Sequence, residues 1–465
     1  MDVAAAFGEY RKLMEPMPSI GLAYLAAACR QAGHDVRVLD NFASKLPVGR
    51  VVALVREARA EVVGLSMLTP TAKSTAALGR AIREQTGAKV VLGNLHASLF
   101  HEELLRDGAC DAVVHGEGEI VFPQLVRALT DGGPVDLPGV SVRDGEGVRA
   151  NLPPAMVEDL DALPRPAWDL FPWRSYTFLP FVTVAKPCLS LLGTRGCPFR
   201  CKFCALGYQG NYVRKRSPEN IAAEIEWLVR EYGIRHVGFV DPIFPFSKKH
   251  GVNTCAAIIA RRIPGDWWWT SETRVDVIDE EICRAMKTAR CKRILFGVES
   301  GVDELLAAVG KNFTTDDVRR AVRAARRARL EISAFFMLGL PGETAAMTRR
   351  TIEFARELDI DFAKFGITIP LPGSELYDNL VRDGKIKPGD WDKFTTFNPA
   401  PESLPYVPLG LTGRELQRLH RRATWRFYVR PKMIFRHLFQ IRSIGLKQIA
   451  NGASILLRQL VGGRL

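Results

Sequence analysis

Three cysteines within one short stretch, GTRGCPFRCKFCALG, have the types and spacing to do chemistry together. Cys197, Cys201 and Cys204 are four and then three residues apart, and the stretch contains no fourth thiol and no imidazole. A zinc site normally takes four nitrogen or sulfur ligands. Three thiolates on a tight loop instead suit three corners of a cubane iron–sulfur cluster, whose fourth iron stays open to an external ligand. We therefore predict that these three cysteines hold a [4Fe–4S] cluster.

The residues around the cysteines fit a cluster loop. Arg195, Arg200 and Lys202 would place positive charge beside the sulfurs and favour thiolate over thiol, and Phe203 would shield the cluster from water. The alternative is a solvated loop with one buried aromatic side chain. The CxxxCxxC pattern, with an aromatic residue before the last cysteine, resembles the signature of the radical S-adenosylmethionine (SAM) enzymes.

That resemblance implies a cofactor, a reaction and a partner. The open iron would bind the amino and carboxyl groups of SAM, and one electron passed through the cluster would cleave the sulfonium to give a 5′-deoxyadenosyl radical. A low-potential donor such as flavodoxin or ferredoxin would supply the electron.

Further segments resemble the SAM-binding motifs of that family. FGVESG places Glu299 and Ser300 where the family approaches the ribose or amino group of SAM, and a carboxylate is a suitable acceptor there. FFMLGLPGET resembles the motif beside the adenine, where glycines permit close backbone approach. FVDPIF resembles the second-strand segment, although Pro242 stands where the subgroup often has a second acid. The predicted SAM-binding residues are Phe203, Asp241, Glu299, Ser300, Gly339 and Gly342.

The front of the chain carries a second resemblance. PSIGLAYLAAACRQAGHDVRVLD, EVVGLSMLT, VVLGNLHAS and DAVVHGEGE resemble, in that order, the cobalamin-binding domain that precedes many radical SAM enzymes. A nucleotide-binding domain is the competing interpretation. It would require a glycine-rich turn after the first strand, and the sequence shows none there.

Three loops after three strands would form the cobalamin site, with small residues admitting the corrin tail and polar groups bonding its amides and phosphate. Met67 and Leu68 would lie under the lower face of the corrin, and His96 would line the pocket without being the axial ligand. The predicted cobalamin-binding residues are Ser66, Met67, Leu68, Thr69, Gly93, Asn94, His96, Ala97, Gly116, Glu117 and Gly118.

The elements that must position these residues alternate along the chain. In the first 130 or so residues, DVRVLD, EVVGLSML, KVVLGNLH and DAVVH read as strands between helices, which predicts an open, doubly wound parallel sheet. Its first strand should precede the helix at Ser19, where only VAAAF is available. Either that piece serves, or the true chain begins upstream of Met1.

The alternation resumes after a proline-rich connector that we expect to be packed. CLSLLGT, HVGFVD, WWWTSE, RILFGVE, ISAFFMLG and FAKFGITIP are six strand candidates separated by helices, which suggests a barrel with its chemistry at the strand ends.

The predicted fold class is therefore α/β. An N-terminal Rossmann-like (flavodoxin-like) cobalamin-binding domain would cover residues 1–135, and a hairpin and linker 136–187. A partial (β/α)6 radical SAM barrel would cover 188–400, and a basic helical tail 401–465.

The net charge of +13 is concentrated at the end of the chain. From Thr412 to Leu465 there are 12 Lys and Arg residues against one acid, Glu415, so the rest of the chain is nearly neutral. Two helices packed on the barrel and a membrane-surface role are equally compatible with this pattern. RNA binding is a third option, but nucleic acid is not expected, because the chain lacks the extra cysteines and terminal β-barrel of RNA-modifying relatives. With no apolar run long enough to span a membrane and no signal-peptide core, a cytoplasmic protein is expected, with membrane association possible through the tail.

The resemblance predicts a cobalamin-dependent radical SAM methyltransferase acting on an unactivated carbon of a small-molecule or lipid substrate. The same subgroup includes the anaerobic magnesium-protoporphyrin ester cyclase, so oxidation or ring closure without methyl transfer is the first rival. A zinc-stabilised nucleic-acid-binding protein and a plain electron-transfer protein are the others. The sequence predicts neither the substrate, the axial cobalt ligand nor the oligomeric state.

Overall fold

The structure is a computed structural model that describes residues 16–154, 156–179, 181–206, 212–395 and 403–440. In these ranges the strands are β1 (Val62–Ser66), β2 (Lys89–Gly93), β3 (Ala112–Val114), β4 (Val140–Asp144), β5 (Gly147–Asn151), β6 (Cys188–Leu191), β7 (Thr194–Arg195), β8 (Arg214–Lys215), β9 (His236–Phe239), β10 (Trp268–Thr273), β11 (Cys291–Glu299), β12 (Glu331–Leu338) and β13 (Phe362–Ile367).

The α-helices of the same ranges are α1 (Ile20–Gln31), α2 (Asn41–Ser44), α3 (Val48–Glu57), α4 (Ala72–Thr86), α5 (Leu95–Leu99), α6 (His101–Arg106), α7 (Gly118–Asp131), α8 (Pro218–Tyr232), α9 (Lys248–Ala260), α10 (Glu280–Thr288), α11 (Asp303–Ala308), α12 (Thr315–Arg327), α13 (Ala345–Glu357), α14 (Glu375–Arg382), α15 (Gly413–Tyr428) and α16 (Pro431–Gln440). None of the helices in the described ranges combines the length and the apolar character needed to cross a bilayer.

The first sheet has the order β1-β2-β3-β4-β5. β1, β2 and β3 are parallel, as their valine-rich sequences predict, whereas the β4–β5 hairpin continues the sheet in antiparallel fashion from β3. Gly145, with φ 59°, forms the expected hairpin turn. The hairpin that we expected to accompany the linker is therefore hydrogen-bonded into the first sheet, although the division into domains stays a prediction.

The predicted strand DVRVLD is wrong, because that segment is extended but joins no sheet. Its Val36 and Val38 pack with Ala26, Ala167 and Leu170, so helix α1 and the linker satisfy the alternating pattern that a sheet would otherwise bury. The candidate first strand VAAAF lies outside the described residues.

The second sheet confirms all six predicted barrel strands. Its order is β13-β12-β11-β10-β9-β6, with every neighbouring pair parallel. The helices between these strands bury one face against the sheet, as in α8, where Ile221, Ile225 and Leu228 are wholly buried. The result is the partial barrel that the sequence predicts.

The linker is packed, as expected, and it closes the amino-terminal mouth of the barrel. The ring of Phe178 fills the space over Gly238, where an added Cβ would lie 2.6 Å from the ring. Ser333, near the start of β12, donates to the Phe181 carbonyl at 2.7 Å, and the rings of Phe181 and Phe335 lie 5.5 Å apart. The barrel lumen therefore has an aromatic floor on the side where the strands begin.

The described part of the tail covers the edge strand β13. Leu416, Ala423 and Phe427 of α15 are buried in the barrel core. The Tyr428 hydroxyl accepts from the Ala363 N–H at 3.1 Å and donates to the Ala363 carbonyl at 2.9 Å. Of the interpretations of the basic tail, helices packed on the barrel are thus confirmed for α15.

Candidate active site

The cluster loop is closed at its base by the two-stranded ribbon β7–β8, in which Thr194 pairs with Lys215 and Arg195 with Arg214. Gly196, with φ 90°, begins the loop, and an added Cβ there would collide with the Tyr212 carbonyl oxygen. Only glycine therefore allows the chain to turn from the ribbon toward the first cysteine.

The three predicted cluster ligands lie on this loop as half-buried, unbridged thiols: Cys197, Cys201 and Cys204. The Cys204 N–H donates to the Cys201 carbonyl at 2.9 Å, which tightens the turn between them. Among the described residues, no three ligating side chains converge on a single ion. A cubane takes each cysteine on a different iron, so a [4Fe–4S] cluster, unlike a single ion, does not require the three thiols to converge on one point.

Two buried cations that the sequence analysis missed lie beside the thiols. Arg274 stacks 3.6 Å from the centre of the Phe199 ring, and its Nη1 is 4.0 Å from Cys201 Sγ. Burial raises the pKa values of the Cys197 and Cys204 thiols, and the charge of Lys311 opposes that effect at both. Arg274 opposes it at Cys197 as well.

This arrangement corrects the expected charge pattern, in which Arg195, Arg200 and Lys202 surround the sulfurs. Arg195 turns to two glutamates of the front domain, Arg200 is exposed, and Lys202 Nζ lies 4.0 Å from a carboxylate oxygen of Glu375. Sequence proximity misled the prediction, because the cations that reach the thiols come from the loops after β10 and α11.

Phe203 is partly buried and packs against Leu305, Val309 and Leu340. Nζ of Lys311 lies 5.8 Å from the centre of its ring. The ring thus packs the cluster loop against the barrel, and its roles in shielding the cluster and binding SAM stay predictions.

Glu299 lies at the carboxyl end of β11 with φ 67°, a left-handed conformation that is unusual for a side chain of this kind. Its carboxylate is 2.9 Å from Lys311 Nζ, which also donates to the Gly297 carbonyl at 3.1 Å. The turn and the ion pair hold the carboxylate beside the cluster loop, where SAM would bind.

The sequence analysis also missed Glu272, one strand away on β10. Glu272 points into the barrel lumen, where its side chain is exposed to solvent between the strands. The surrounding walls and then the charge of Glu299 raise its pKa to about 7. The signal that could have found it is a single acid in the otherwise uncharged strand WWTSET. Glu272 and Glu299 together offer carboxylate acceptors for hydroxyl groups.

Lys364 of β13 completes the polar lining of the lumen. Its Nζ lies 5.6 Å from the centre of the Phe181 ring at the floor. Burial lowers the pKa of Lys364, and the charge of Glu272 partly restores it. The lumen thus combines an aromatic floor with the carboxyl groups of Glu272 and Glu299 and the amine of Lys364.

Three other predicted SAM residues have hydrogen-bond partners within the protein: Asp241, Ser300 and Gly339. Both Asp241 oxygens accept from the Gly193 N–H at 3.0 Å, and Thr194 Oγ1 donates to Oδ1 at 2.6 Å, so Asp241 fixes the strand that leads into the cluster loop. Ser300 is fully buried with its hydroxyl 3.2 Å from that of Thr351.

The Gly339 N–H donates to Glu343 Oε2 at 2.7 Å, and the Leu340 N–H donates to the same oxygen at 2.8 Å. An added Cβ at Gly339 would lie 2.8 Å from Leu416 of α15, whereas Gly342, with φ 77°, has open space around it. Of these two glycines, Gly342 is the one whose backbone is open to a ligand.

The predicted cobalamin loops follow β1, β2 and β3, whose carboxyl ends lie side by side. Ser66 and Gly93 are register partners at this edge. Asn94, with φ 80°, caps α5 and donates from Nδ2 to Ser66 Oγ at 3.1 Å. Leu68 is 46% exposed beside them. An open edge lined by a hydroxyl, an amide, a glycine and an apolar side chain fits the amides and the ring of a corrin.

Four other residues of the predicted cobalamin set are buried behind that edge: Met67, Thr69, His96 and Ala97. The His96 ring lies 4.9 Å from that of Trp391, and its Nδ1 is 3.2 Å from Thr69 Oγ1. Burial lowers the pKa of His96 to about 4, which keeps the imidazole neutral. Of the pair expected under the corrin, Met67 faces the core and only Leu68 reaches the surface.

The third loop meets the cluster loop directly. Gly116, with φ 67°, and Gly118 flank Glu117, whose carboxylate accepts from Arg214 at 2.5 and 2.7 Å. Although burial opposes it, the Arg214 hydrogen bonds and the charge of Arg195 hold the pKa of Glu117 below its ordinary value. Glu117 therefore joins the two predicted cofactor sites.

Comparison with known proteins agrees with this division of the site. The Radical SAM superfamily matches residues 191–355, and the B12 binding domain matches residues 11–126. An uncharacterized methyltransferase of Pyrococcus horikoshii is 32% identical over 443 residues, which cover 94% of this chain and 93% of the relative. The anaerobic magnesium-protoporphyrin IX monomethyl ester cyclase of Cereibacter sphaeroides is 28% identical over 411 residues, which cover 86% of this chain and 65% of the cyclase.

A solved structure shares the fold over nearly the whole chain. The radical SAM methyltransferase TsrM from Kitasatospora setae, solved with cobalamin and a [4Fe–4S] cluster, superposes with a TM-score of 0.72 at 20% identity, covering 90% of this chain and 89% of that one. The two matched families, the extended relative and the cysteine loop agree with one another. The chain belongs to the cobalamin-binding radical SAM enzymes, whose cofactors are a [4Fe–4S] cluster, SAM and cobalamin.

Proposed function

We propose that this chain is a methyltransferase that transfers a methyl group to an unactivated carbon of a small-molecule or lipid substrate held in the barrel lumen. Bound SAM and cobalamin would supply the radical and the methyl carrier. The observation that carries the proposal is the contact between the base of the cluster loop and the Gly116–Glu119 loop, through Arg195 and Arg214. A substrate at the mouth of the lumen would therefore have both cofactors beside it.

The residues of the chain would bind and orient the reactants. Cys197, Cys201 and Cys204 would hold the cluster, and Glu299 and Glu272 would accept hydrogen bonds from the hydroxyls of SAM. The linker floor would exclude water from below, which protects a radical from quenching by solvent.

Anaerobic turnover with methyl-deuterated SAM tests the proposal. The reconstituted protein, given a reductant and cobalamin, should form both 5′-deoxyadenosine and S-adenosylhomocysteine. The C197A/C201A/C204A variant should form neither, and Cys255→Ala, which changes a buried cysteine outside the loop, should retain both. If neither product forms while iron and corrinoid are bound, the proposal is wrong.

A second candidate function is oxidation or ring closure without methyl transfer, favoured by the similarity to the Cereibacter sphaeroides cyclase. A product that carries no deuterium, formed with 5′-deoxyadenosine but without S-adenosylhomocysteine, would identify this reaction. A flavodoxin or ferredoxin as electron donor remains part of the proposal for either reaction.

We also propose that the last described helices rest on an anionic membrane surface. Trp425, Val429, Ile434 and Phe435 are exposed apolar side chains, 42–62% accessible, close in sequence to the cations Arg421 and Lys432. Apolar side chains among cations suit a bilayer that carries negative lipids.

Sedimentation with vesicles tests this contact. The protein should bind vesicles of phosphatidylserine and phosphatidylcholine more strongly than vesicles of phosphatidylcholine alone, and the F435E variant should lose most of that binding. L409E changes an apolar residue that is 88% exposed outside these helices and should bind normally. Equal binding by F435E and the wild type would exclude this surface as the contact.

A further inference from the structure

A buried ion-pair network joins the foot of the cluster loop to the third loop of the front domain. Arg195 Nη2 donates to Glu119 Oε1 at 2.5 Å, and Arg195 Nη1 lies 3.4 Å from Glu117 Oε2. Arg214, the register partner of Arg195, binds Glu117 through two nitrogens and also donates to the Val157 carbonyl at 2.6 Å.

The four side chains are buried well enough for their charges to matter. Arg195, Glu117, Glu119 and Arg214 are each only 8–13% exposed. Exposed ion pairs contribute little because water screens them. A buried charge that loses its partner destabilises the protein. The network is therefore expected to keep this geometry, because breaking any of its ion pairs would cost stability.

Each side of the network belongs to a segment that carries one of the two predicted cofactor sites. Arg195 is two residues before Cys197, and Glu117 stands between the glycines of the third cobalamin loop. The Arg195 guanidinium also lies 5.6 Å from the centre of the Tyr24 ring on α1. A change in the loop that carries the cysteines must therefore move, or strain, groups that shape the cobalamin edge.

We propose that Arg195, Glu117, Glu119 and Arg214 couple the two sites, so that a loaded cluster raises the affinity of the protein for cobalamin. A cluster pins its loop at three cysteines and thereby holds both strands of the ribbon that present the two arginines. Without it, part of the free energy of cobalamin binding is spent on restricting the loop and the network to this one geometry. Arg195 is a positioning residue here, since it acts through the glutamates.

Because coupling of binding is reciprocal, bound cobalamin should also stabilise the cluster on the protein. The two effects have the same physical origin, so a variant that abolishes one must abolish the other.

The test compares hydroxocobalamin binding, by equilibrium dialysis under anaerobic conditions, to one protein before and after cluster reconstitution. Typical coupling between sites changes affinity by about 5- to 150-fold, and we expect the reconstituted wild type to bind at least about fivefold more tightly than the cluster-free form. In E119Q the ratio of the two dissociation constants should fall to within about twofold of unity.

R195K keeps the charge but cannot contact both glutamates in the same way, and it should also reduce the ratio. The control is E331Q, which breaks the Arg293–Glu331 pair of the barrel wall at 2.6 Å and should keep the wild-type ratio. As a second readout, hydroxocobalamin should slow the loss of iron to a chelator in the wild type and not in R195K.

Neither measurement requires methyl transfer, so failure of the coupling and failure of the proposed reaction are distinguishable. A wild-type ratio within about twofold of unity would overturn the inference. So would an E119Q or R195K protein that is folded by circular dichroism, loads iron fully and retains the whole ratio. If the E119Q variant does not fold, the ratio of dissociation constants measured for R195K tests the inference by itself.

Discussion

At the scale of single residues, the charges near the cluster come from unexpected places. Arg274 is 4% exposed, is held by Asp276 at 2.8 and 3.0 Å, and brings its guanidinium to the Cys201 sulfur. Lys311 pairs with Glu299, and its charge also acts on the thiols of Cys197 and Cys204. A fixed positive charge favours the reduced, more negative form of a cluster, so these residues should set its reduction potential.

Arg274→Met should lower the reduction potential of the cluster. One unit charge about 6 Å away at an effective dielectric constant of about 20 corresponds to roughly 100 mV for a one-electron couple. A redox titration followed by electron paramagnetic resonance measures the shift. Arg200→Met removes an exposed cation of the same loop and should change the potential little; equal shifts in both variants would show that Arg274 has no special role.

Glu272→Gln should stabilise the cluster-free protein in a pH-dependent way. The raised pKa of Glu272, about 7 against 4.5 in an unfolded chain, means that ionisation costs stability in the folded state. That cost is absent at pH values well below 4.5, grows between pH 4.5 and 7, and is fully present above pH 7. The melting temperature of E272Q should therefore exceed that of the wild type at pH 8, and the gap should narrow toward pH 5. A gap that does not change with pH would contradict this assignment.

At the scale of the elements, the cluster loop depends on the β7–β8 ribbon, in which each strand has only two residues. Gly196 turns the chain out of β7, Asp241 holds the segment before it, and the loop returns through β8. The Lys202 N–H donates to the Val309 carbonyl at 3.0 Å, which ties the middle of the loop to the barrel. The geometry of the three thiols thus depends on backbone contacts that side-chain patterns do not reveal.

Gly196→Ala should therefore lower the iron content after reconstitution without unfolding the barrel. Its Cβ would overlap the Tyr212 carbonyl and force the ribbon apart. Iron and sulfide analysis together with circular dichroism measures both effects. Gly233→Ala places the same methyl group at another left-handed glycine, φ 62°, with open space around it, and should cost about 1–2 kcal/mol while leaving the iron content unchanged. Full iron loading of G196A would show that the turn tolerates a side chain.

At the scale of the whole molecule, the segment after β13 connects the barrel to the front domain. Ile369, Leu376, Trp391 and Phe394 share a buried cluster with Val90 and other front-domain residues. Trp391 packs on Phe100 at 4.8 Å as well as on His96. The barrel therefore contributes part of the wall that supports the second of the three predicted cobalamin loops.

Trp391→Ala should cost about 3–5 kcal/mol of stability, the usual range for a large buried aromatic side chain, and should weaken cobalamin binding because His96 loses its neighbour. Thermal melts and equilibrium dialysis with hydroxocobalamin measure the two effects. Lys73→Gln breaks only the exposed pairs with Asp390 and Asp392, at 3.5 and 3.1 Å, in the same region. It should change stability by less than about 1 kcal/mol, and an equal loss in both variants would contradict the proposed packing role.

The sequence by itself determined the six barrel strands and the order of the two α/β units, and it predicted the three cluster cysteines. These depend on local spacing and on hydrophobic periodicity, which a single segment displays without its neighbours. The prediction that DVRVLD forms a strand was wrong, because alternating apolar residues can pack against a helix and a linker as well as within a sheet.

Tertiary structure alone decided which charges meet. Arg274 is 73 positions from Cys201, and Arg195 is 76 from Glu119. Contacts over such separations depend on how strands and loops are arranged in space, and no local pattern encodes them. The same reason explains why Asp241, Ser300 and Met67 turn to the protein interior while Glu272, which no motif marks, faces the lumen.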